Sequence, residues 1–571
     1  MERCTTDAAT AQPVRVVLLL DSFNQPRWVA ETIQDMMASA TVDLVGVVLN
    51  LHASASNAAP RRNLAARLVN AWKKRDAIAL EAYLRFDERR YPAPGPSPFE
   101  PTDVTTLLAG LPVIEARPLQ TVFSDFLDEP CLMQVADLEP DVAVQYGFRT
   151  LRGRALSIPK YGVWSLHHGD NGVNRGGPPG LWEVFGGWRS TGAILQRLSE
   201  ELDGGATLMR TQVPTNPISV HQNRVTMYRA AAPLLIRKLK QLQRIGPQAL
   251  DSPSHEPAFL PYSKRLFVNP TLRELARGLR TITSRLLHRK RADRRIREQW
   301  QLAYASDSSQ HEGNCVPQTS FFRFTPLVPP ADRFWADPFP VRHQGRSFVF
   351  FEELVYTENK GRIAVMEMKA NGPLAAPAVV LDMPYHLSYP FMLLHDGEWY
   401  MTPEMVEAGR QEIFRAKEFP LIWEICATIE LGSPIVDPTL HHEDGTWWLF
   451  AGTRASPFSD FNELSIYHSD SPFGPWTAHP MNPVMSDARS ARPAGRLFRV
   501  GSDLIRPAQD GTPDYGTAIA FKRISRLDRE GYSEEPYARA DPHWSPELTG
   551  THSINAAGSL TMIDVRKRVR R

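Results

Sequence analysis

The sequence predicts a multidomain protein: an α/β domain built on a parallel sheet, a helical linker and an all-β domain of repeated units. Three patterns carry this. Over residues 14–235, apolar runs such as VRVVLLL and VDLVGVVLN alternate with helical patterns, as a sheet buried on both faces requires. Over 236–319 the chain is helix-prone and basic, with LIRKLKQLQRI and RELARGLRTITSRLLHRKRADRRIREQW. Over 320–571 short strand patterns separated by Gly, Asp and Pro recur at a period of about 50 residues, the mark of propeller blades.

The first apolar run, Val14 to Leu20, follows an acidic residue and lacks a basic leader and a small-residue cleavage site. It therefore reads as a first buried strand, not a signal peptide. A helical pattern runs from Trp28 to Met37, and VDLVGVVLN is the second strand. YPAPGPSPFEP, near residue 95, is an exposed loop. VADLEPDVAVQYGF and GVWSLHH supply later strands. No stretch approaches the roughly 20 apolar residues that span a bilayer, so a soluble protein is expected. Four cysteines without a CxxC pair argue against a disulfide scaffold or cysteine zinc site and suit a cytoplasmic location. No metal is expected. A net charge of +2 gives no global field toward nucleic acid or an anionic membrane. The basic segment lacks interleaved aromatic residues and reads as a solvated helical connector, with no nucleic-acid partner.

The chemistry concentrates between Gly162 and Leu208. His167 ends a strand, an Arg-Gly-Gly-Pro-Pro loop and a Trp-containing helix follow, and Asp203 precedes a Gly-Gly turn. An amine attacks an acyl carbonyl only when neutral, so a base must take its proton, and a carboxylate can orient an imidazole for that task. The developing oxyanion needs a hydrogen-bond donor.

The segments PDVAVQYGF, PKYGVWSLHH, RGGPPGLWEVFGG and LDGGATL, in that order, make residues 130–215 resemble the folate-dependent formyltransferases. The resemblance implies a Rossmann-like domain using 10-formyltetrahydrofolate as formyl donor, with His167 as base and Asp203 as its orienter. It places Ser165 where that family has an asparagine that donates to the oxyanion. Loss of one such donor typically costs about 10²–10³ in rate. His168, Asn171 and Asn174 are the stand-ins the sequence offers. Gln145, Tyr146, Gly147 and Phe148 fall on the strand end that borders the folate pocket, and Arg175 is expected to contact an anionic substrate.

In the C-terminal region each repeat has a polar residue before proline, a turn, then an aromatic strand. The motifs are FWADPF with FVFFEE, HLSYPFM with YMTPE, VDPTL with WWLFAG, and ARPAG with LIRPAQD. They resemble five-bladed folds such as glycoside hydrolase family 43, and more closely the N-terminal domain of plant glucosamine inositolphosphorylceramide transferases. The resemblance implies a five-bladed propeller whose carboxylates converge on a central pocket. Asp337, Glu404 and Asp437 are the expected carboxylates, with Glu352 and Glu353 as outsiders. Arg492, Arg506 and Gln509 suit sugar hydroxyls or phosphate. Trp335, Tyr389, Trp447 and Trp448 either stack on sugars or pack between blades. The order Asp, Glu, Asp departs from family 43, where the acid glutamate follows both aspartates, so sugar binding is favoured over hydrolysis.

The expected function is formyl transfer to the amine of an amino sugar or sugar-linked substrate, with the propeller holding a glycan or glycolipid acceptor. Two alternatives stay open. One is a carbohydrate-active propeller, glycosidase or glycosyl-transfer, carrying a degenerate formyltransferase domain. The other is a non-catalytic glycan-binding protein.

Overall fold

The structure, a computed structural model, describes residues 12–51, 74–121, 123–201, 204–250, 265–293, 296–306 and 316–570. The chain divides into two compact units, Met1–Thr283 and Ser284–Arg571.

The first unit is built on a seven-stranded sheet. Its strands are β1 (Val14–Leu20), β2 (Val42–Asn50), β3 (Val113–Ala116), β4 (Val142–Gln145), β5 (Val163–His167), β6 (Ser190–Arg197) and β7 (Ala206–Pro214), in the spatial order β7-β6-β5-β4-β1-β2-β3. Strands β3 to β5 across the sheet run parallel, as expected, while β6 and β7 pair antiparallel. The chain winds outward from β1 to β3, then returns to β4 on the other side of β1. This makes β1 and β4 a switch point, whose carboxyl ends form the crevice where open α/β sheets bind ligands.

The unbroken apolar run of β1 has a direct cause. Val14, Val16, Leu18 and Leu20 enter one core cluster, and Val17 and Leu19 enter the cluster on the opposite face. Helix α1 (Arg27–Ala38) covers the first face with Val29, Ala30, Ile33 and Met36, a helical stripe. Helix α2 (Glu129–Asp137), capped by the Asp128 carboxylate on Cys131 N–H at 3.0 Å, covers the second with Cys131 and Val135.

The domain limit expected at residue 235 falls inside a helix. After α3 (Leu181–Gly186) and α4 (Val220–Ala231), α5 (Pro233–Ile245) buries Leu234, Leu235, Leu239 and Leu242 in the same cluster as β1. Its basic letters obscured an amphipathic stripe, and the helix is part of the first unit rather than linker. The division between the units lies within α6 (Leu272–Asp293). Among the described residues, no helix is long and apolar enough to cross a membrane.

The second unit starts earlier than residue 320. Strand β8 (Ile296–Ser306) pairs along its whole length, Ile296 with Arg570 through Ser306 with Leu560, against the last strand of the chain. Among the described residues of this unit, five antiparallel sheets are present. The first contains β9 (Arg333–His343), β10 (Arg346–Val355) and β11 (Lys360–Lys369). The second contains β12 (Ser388–His395), β13 (Glu398–Glu404), β14 (Gln411–Glu418) and β15 (Ile422–Ile429). The third contains β16 (Val436–Glu443), β17 (Thr446–Thr453) and β18 (Glu463–Ser469). The fourth contains β19 (Asp503–Asp510), β20 (Ala518–Leu527) and β21 (Tyr532–Ala540). The fifth joins β8 to β22 (Ile554–Ala557) and β23 (Leu560–Arg570).

Two local devices recur. Gln344-Gly345, Asp396-Gly397 and Asp444-Gly445 have positive φ at both residues and close two-residue hairpins, the geometry that matches strand twist. At the entry of β9, β12 and β16 the register slips around Asp337-Pro338, Tyr389-Pro390 and Asp437-Pro438. Asp337, Tyr389 and Asp437 sit there at φ of 50°, 44° and 52°. Such backbone is costly for a residue before proline, by about 1–3 kcal/mol each, and bulges re-aim side chains. The three strained positions deliver polar side chains to one place.

Candidate functional site

In the first unit, the crevice between β1 and β4 is organised by Asp21. Its Oδ1 accepts from Phe148 N–H at 2.7 Å, while Tyr146 N–H and Gly147 N–H both donate to Leu19 O. Phe148 takes φ 70°, and a Cβ on Gly147 would stand 2.4 Å from Asp21 N, so glycine alone fits. Replacing Gly147 with alanine is therefore expected to destabilise the first unit by about 1–3 kcal/mol, the usual cost of overpacking, read as a lowered thermal midpoint by circular dichroism. Gln145, Tyr146 and Phe148 are half-buried at this edge. The Gln145 amide donates to Phe148 O and Arg149 O, and its Oε1 is buried without a partner.

Ser165 lies between two glutamines. It registers with Gln145 on β4 and with Gln196 on β6, which places the three residues in a row across the sheet. His167 ends β5, and Gly169 lets the next loop fold over it: an added Cβ would stand 3.0 Å from His167 Nε2. Asp203 lies outside the described residues, so the expected His167–Asp203 pair has no geometry here.

The stand-in donors are committed elsewhere. Asn171 Nδ2 donates to Gln196 Oε1 at 3.2 Å, and Asn174 Nδ2 donates to the buried Glu183 Oε1 at 2.7 Å. His168 stacks on Tyr228 with ring centroids 3.6 Å apart and meets the edge of Trp28. Burial, reinforced by His167 and Arg224, pushes it down to about 3, so it is neutral and structural. Arg175, expected to face a substrate, is only 4% exposed and its backbone pairs with Leu266. The loop that holds it is fixed by Asp170, which lies 3.2 Å from Arg210 and accepts from Gln212 at 2.8 Å.

In the second unit the structure brings Asp337, Glu404, Asp437 and Arg492 together. Arg492 Nε donates to Asp437 Oδ2 at 2.7 Å and its Nη2 lies 3.6 Å from Glu404. Gln509 Nε2 donates to the same Asp437 oxygen at 3.0 Å and to Pro493 O. Tyr389 N–H donates to Asp337 Oδ2, and its hydroxyl lies 2.8 Å from Thr439 Oγ1. The Arg492 guanidinium stands over the ring of Tyr515, which is 45% exposed at the rim of the cluster.

Two members had no sequence motif. His552 sits with Nε2 3.2 Å from Asp337 Oδ1 and Nδ1 3.0 Å from Asp564 Oδ2. Asp564 also accepts from Ser553 Oγ at 2.6 Å and from the backbone N–H of Asp337, His552 and Ser553. Burial opposes a charge on His552, but Asp564 and Asp337 outweigh it and push its pKa up to about 10. These three residues offer ligand atoms within 4.8 Å of one another, a set that a divalent cation would accept. The proton held by His552 already serves that place, and a metal would have to displace it.

Glu352, first read as an outsider, belongs here as well. His386 Nδ1 accepts from Gly361 N–H at 3.0 Å, which leaves Nε2 as the protonated nitrogen, 3.3 Å from Glu352 Oε1. Burial first, then Asp337, raises Glu352 well above its usual range; burial first, then Asp437, does the same for Glu404. The cluster thus sets carboxyls that burial pushes toward the protonated form beside the Arg492 and His552 cations, a mixture of donors and acceptors that matches a polyhydroxylated ligand.

Charge on His552 also gives stability a pH dependence. The imidazole is charged in the fold up to about pH 10, against 6.5 in the unfolded chain. Its stabilisation is therefore full below 6.5 and is lost as pH rises to about 10, with a slope of at most about 1.4 kcal/mol per pH unit. Urea unfolding between pH 6 and 10 should show this fall, and His552→Gln should flatten it.

Several expected ligand contacts are corrected. Arg506 is fully buried, with Nε and Nη2 each 2.8 Å from the Glu534 carboxylate and Nη2 donating to Ser490 O. Trp335, Tyr389, Trp447 and Trp448 are all less than a tenth exposed and pack in core clusters. Glu353 is tied to Trp335, Arg333 and Arg362.

Comparison with known proteins finds a separate likeness for each part. Residues 327–541 match the family model described as glucosamine inositolphosphorylceramide transferase 1, N-terminal. The rice (Oryza sativa subsp. japonica) glucosamine inositolphosphorylceramide transferase 1 is 36% identical over 207 residues, 36% of this chain and 28% of that protein. The methionyl-tRNA formyltransferase of Acidobacterium capsulatum is 29% identical over 156 residues, 26% of this chain and 48% of the enzyme. Among solved structures, a family 43 β-xylosidase/α-arabinofuranosidase from a compost metagenome aligns over 45% of this chain and 95% of its own, at 14% identity and a TM-score of 0.33. The chain thus spans less than half the length of either curated relative, and it joins a segment similar to methionyl-tRNA formyltransferases to one that matches the glucosamine inositolphosphorylceramide transferase 1 N-terminal family.

Proposed function

We propose that the protein moves a formyl group from 10-formyltetrahydrofolate to the amine of an amino sugar or sugar-linked acceptor. The observation that carries this is His167 at the carboxyl end of β5, beside the Gln145–Ser165–Gln196 row, in a segment similar to formyltransferases. The folate would lie along Gln145, Tyr146, Gly147 and Phe148, where the unpartnered Gln145 Oε1 offers an acceptor to a pterin amine.

The amine nitrogen attacks the formyl carbon and His167 takes the proton that leaves it. The bond from carbon to folate N10 then breaks, and that nitrogen receives the proton. Ser165 gives the oxyanion a hydroxyl. Gln196, whose Oε1 is held by Asn171, keeps its NH₂ as the amide donor that replaces the missing asparagine. Asp203 is the expected orienter of His167. A folate donor suits a cytoplasmic location.

In this reading the five sheets are five propeller blades, closed by β8 pairing with β23, and the Asp337–Glu404–Asp437–Arg492 cluster binds the sugar. A relative named for glucosamine and inositolphosphorylceramide supports a glycosidic, lipid-linked acceptor. Arg492→Ala is expected to raise acceptor KM by roughly tenfold or more, with the folate KM unchanged, because it removes a charged hydrogen-bonding group.

The test is incubation of purified protein with 10-formyltetrahydrofolate and a panel of amino sugars, reading tetrahydrofolate release and N-formyl product by mass spectrometry. No product from any acceptor, together with sugar turnover that depends on Asp437, would instead support a carbohydrate-active propeller with a degenerate first domain. The committed side chains of Asn171, Asn174 and His168 favour that second reading.

A further inference from the structure

Helix α6, at 22 residues the longest among the described residues, presents a charged surface that the proposed chemistry does not use. It carries seven arginine and lysine residues against Glu274 and Asp293. Leu275, Gly278 and Ile282 face inward, and Gly278 is pressed so close to Phe185 that a Cβ would stand 2.3 Å from its ring. On the opposite side Arg273, Arg277 and Arg280 follow one another at i, i+4 and i+7, all exposed, and Lys290 is exposed further along. None of these four has an acidic partner among the described residues; Glu274 is engaged by Arg265 and by the start of the helix at Thr271. Like charges at this spacing repel, so a stripe of them is stabilised by an anionic surface.

We infer that this face of α6 docks on an anionic phospholipid surface. A cluster of four to eight cations on an amphipathic helix is the pattern that attracts acidic headgroups. Leu272 and Leu287, 40% and 51% exposed, lie among the cations and supply short apolar contacts at an interface. The helix contains no Phe, Tyr or Trp, which argues against base stacking on a nucleic acid. The inference stands apart from formyl transfer, since it concerns where the protein works and not what it does.

Full-length protein is floated with vesicles of phosphatidylcholine alone or with about 30% phosphatidylserine. Binding is expected only to the acidic vesicles and is lost at high salt, as screening requires. The triple variant Arg273→Glu/Arg277→Glu/Arg280→Glu is expected to bind at least about tenfold more weakly at an unchanged circular dichroism spectrum, given the contribution of each cation near such a surface. The triple Arg→Lys variant should retain binding. Equal uptake by both vesicles, or no effect of charge reversal, overturns the inference. So does binding of duplex DNA through the same arginines without vesicle uptake. Formyl transfer to a soluble acceptor reports separately on the first unit.

Discussion

Replacing Arg506 with methionine is expected to destabilise the second unit by about 3–5 kcal/mol, the usual effect of removing one partner of a buried ion pair. Arg506 is 0% exposed, and the Glu534 side chain is 2% exposed. Two donated hydrogen bonds at 2.8 Å join them. Tyr532 adds a short contact to the same carboxylate, and Lys522 is 3.9 Å away. Burial alone would raise Glu534, yet the Arg506 charge outweighs it and holds the group below its usual range. Methionine would leave that carboxylate buried without its main counter-charge. Thermal unfolding should show a drop on the order of 10 °C for a unit of this size. The double variant Arg506→Met/Glu534→Leu should recover most of the loss, because a buried pair replaced by apolar groups is often near neutral. A drop of less than about 1 kcal/mol in the single variant would mean that water reaches the pair, in the range of exposed salt bridges.

The same residue shows where sequence stops being informative. Arg492 and Arg506 both precede proline in the fourth repeat, and both were read as ligand contacts. Arg492 lies outside the described strands, beside the isolated Pro493–Ala508 bridge, and reaches the cluster through Asp437. Arg506 lies within β19, opposite Lys522, and turns to Glu534. Position in the sheet rather than residue type decides. His552 and Asp564 were missed for a related reason: one precedes a small-residue strand, and the other sits in an apolar strand that reads as core. A charged residue inside such a run, with no surface period to explain it, was the available signal. Conversely, the run VRVVLLL was legible because both its faces are buried, and the hairpin turns because Asp-Gly dictates backbone sign. In the aromatic repeats, size and spacing showed the repeated antiparallel sheets, but could not separate sugar platforms from inter-sheet packing.

If the proposed formyl transfer is the reaction, His167→Ala is expected to lower its kcat by about 10²–10⁴, the usual contribution of a general base, with little change in folate KM. The adjacent histidine cannot take over, because His168 is stacked on Tyr228 and held neutral down to about pH 3. Two further variants separate the oxyanion donors. If Gln196 supplies the amide, Gln196→Leu lowers kcat by roughly 10²-fold, while Ser165→Ala lowers it less than about tenfold. Ser165→Asn tests the same point from the other side: with Gln196 in place, a restored asparagine adds less than about one donor's 10²–10³. Single-turnover rates with saturating folate keep binding apart from chemistry. An unaffected His167→Ala alongside an inactive His168→Ala would remove His167 as base, and formyl transfer by this route with it.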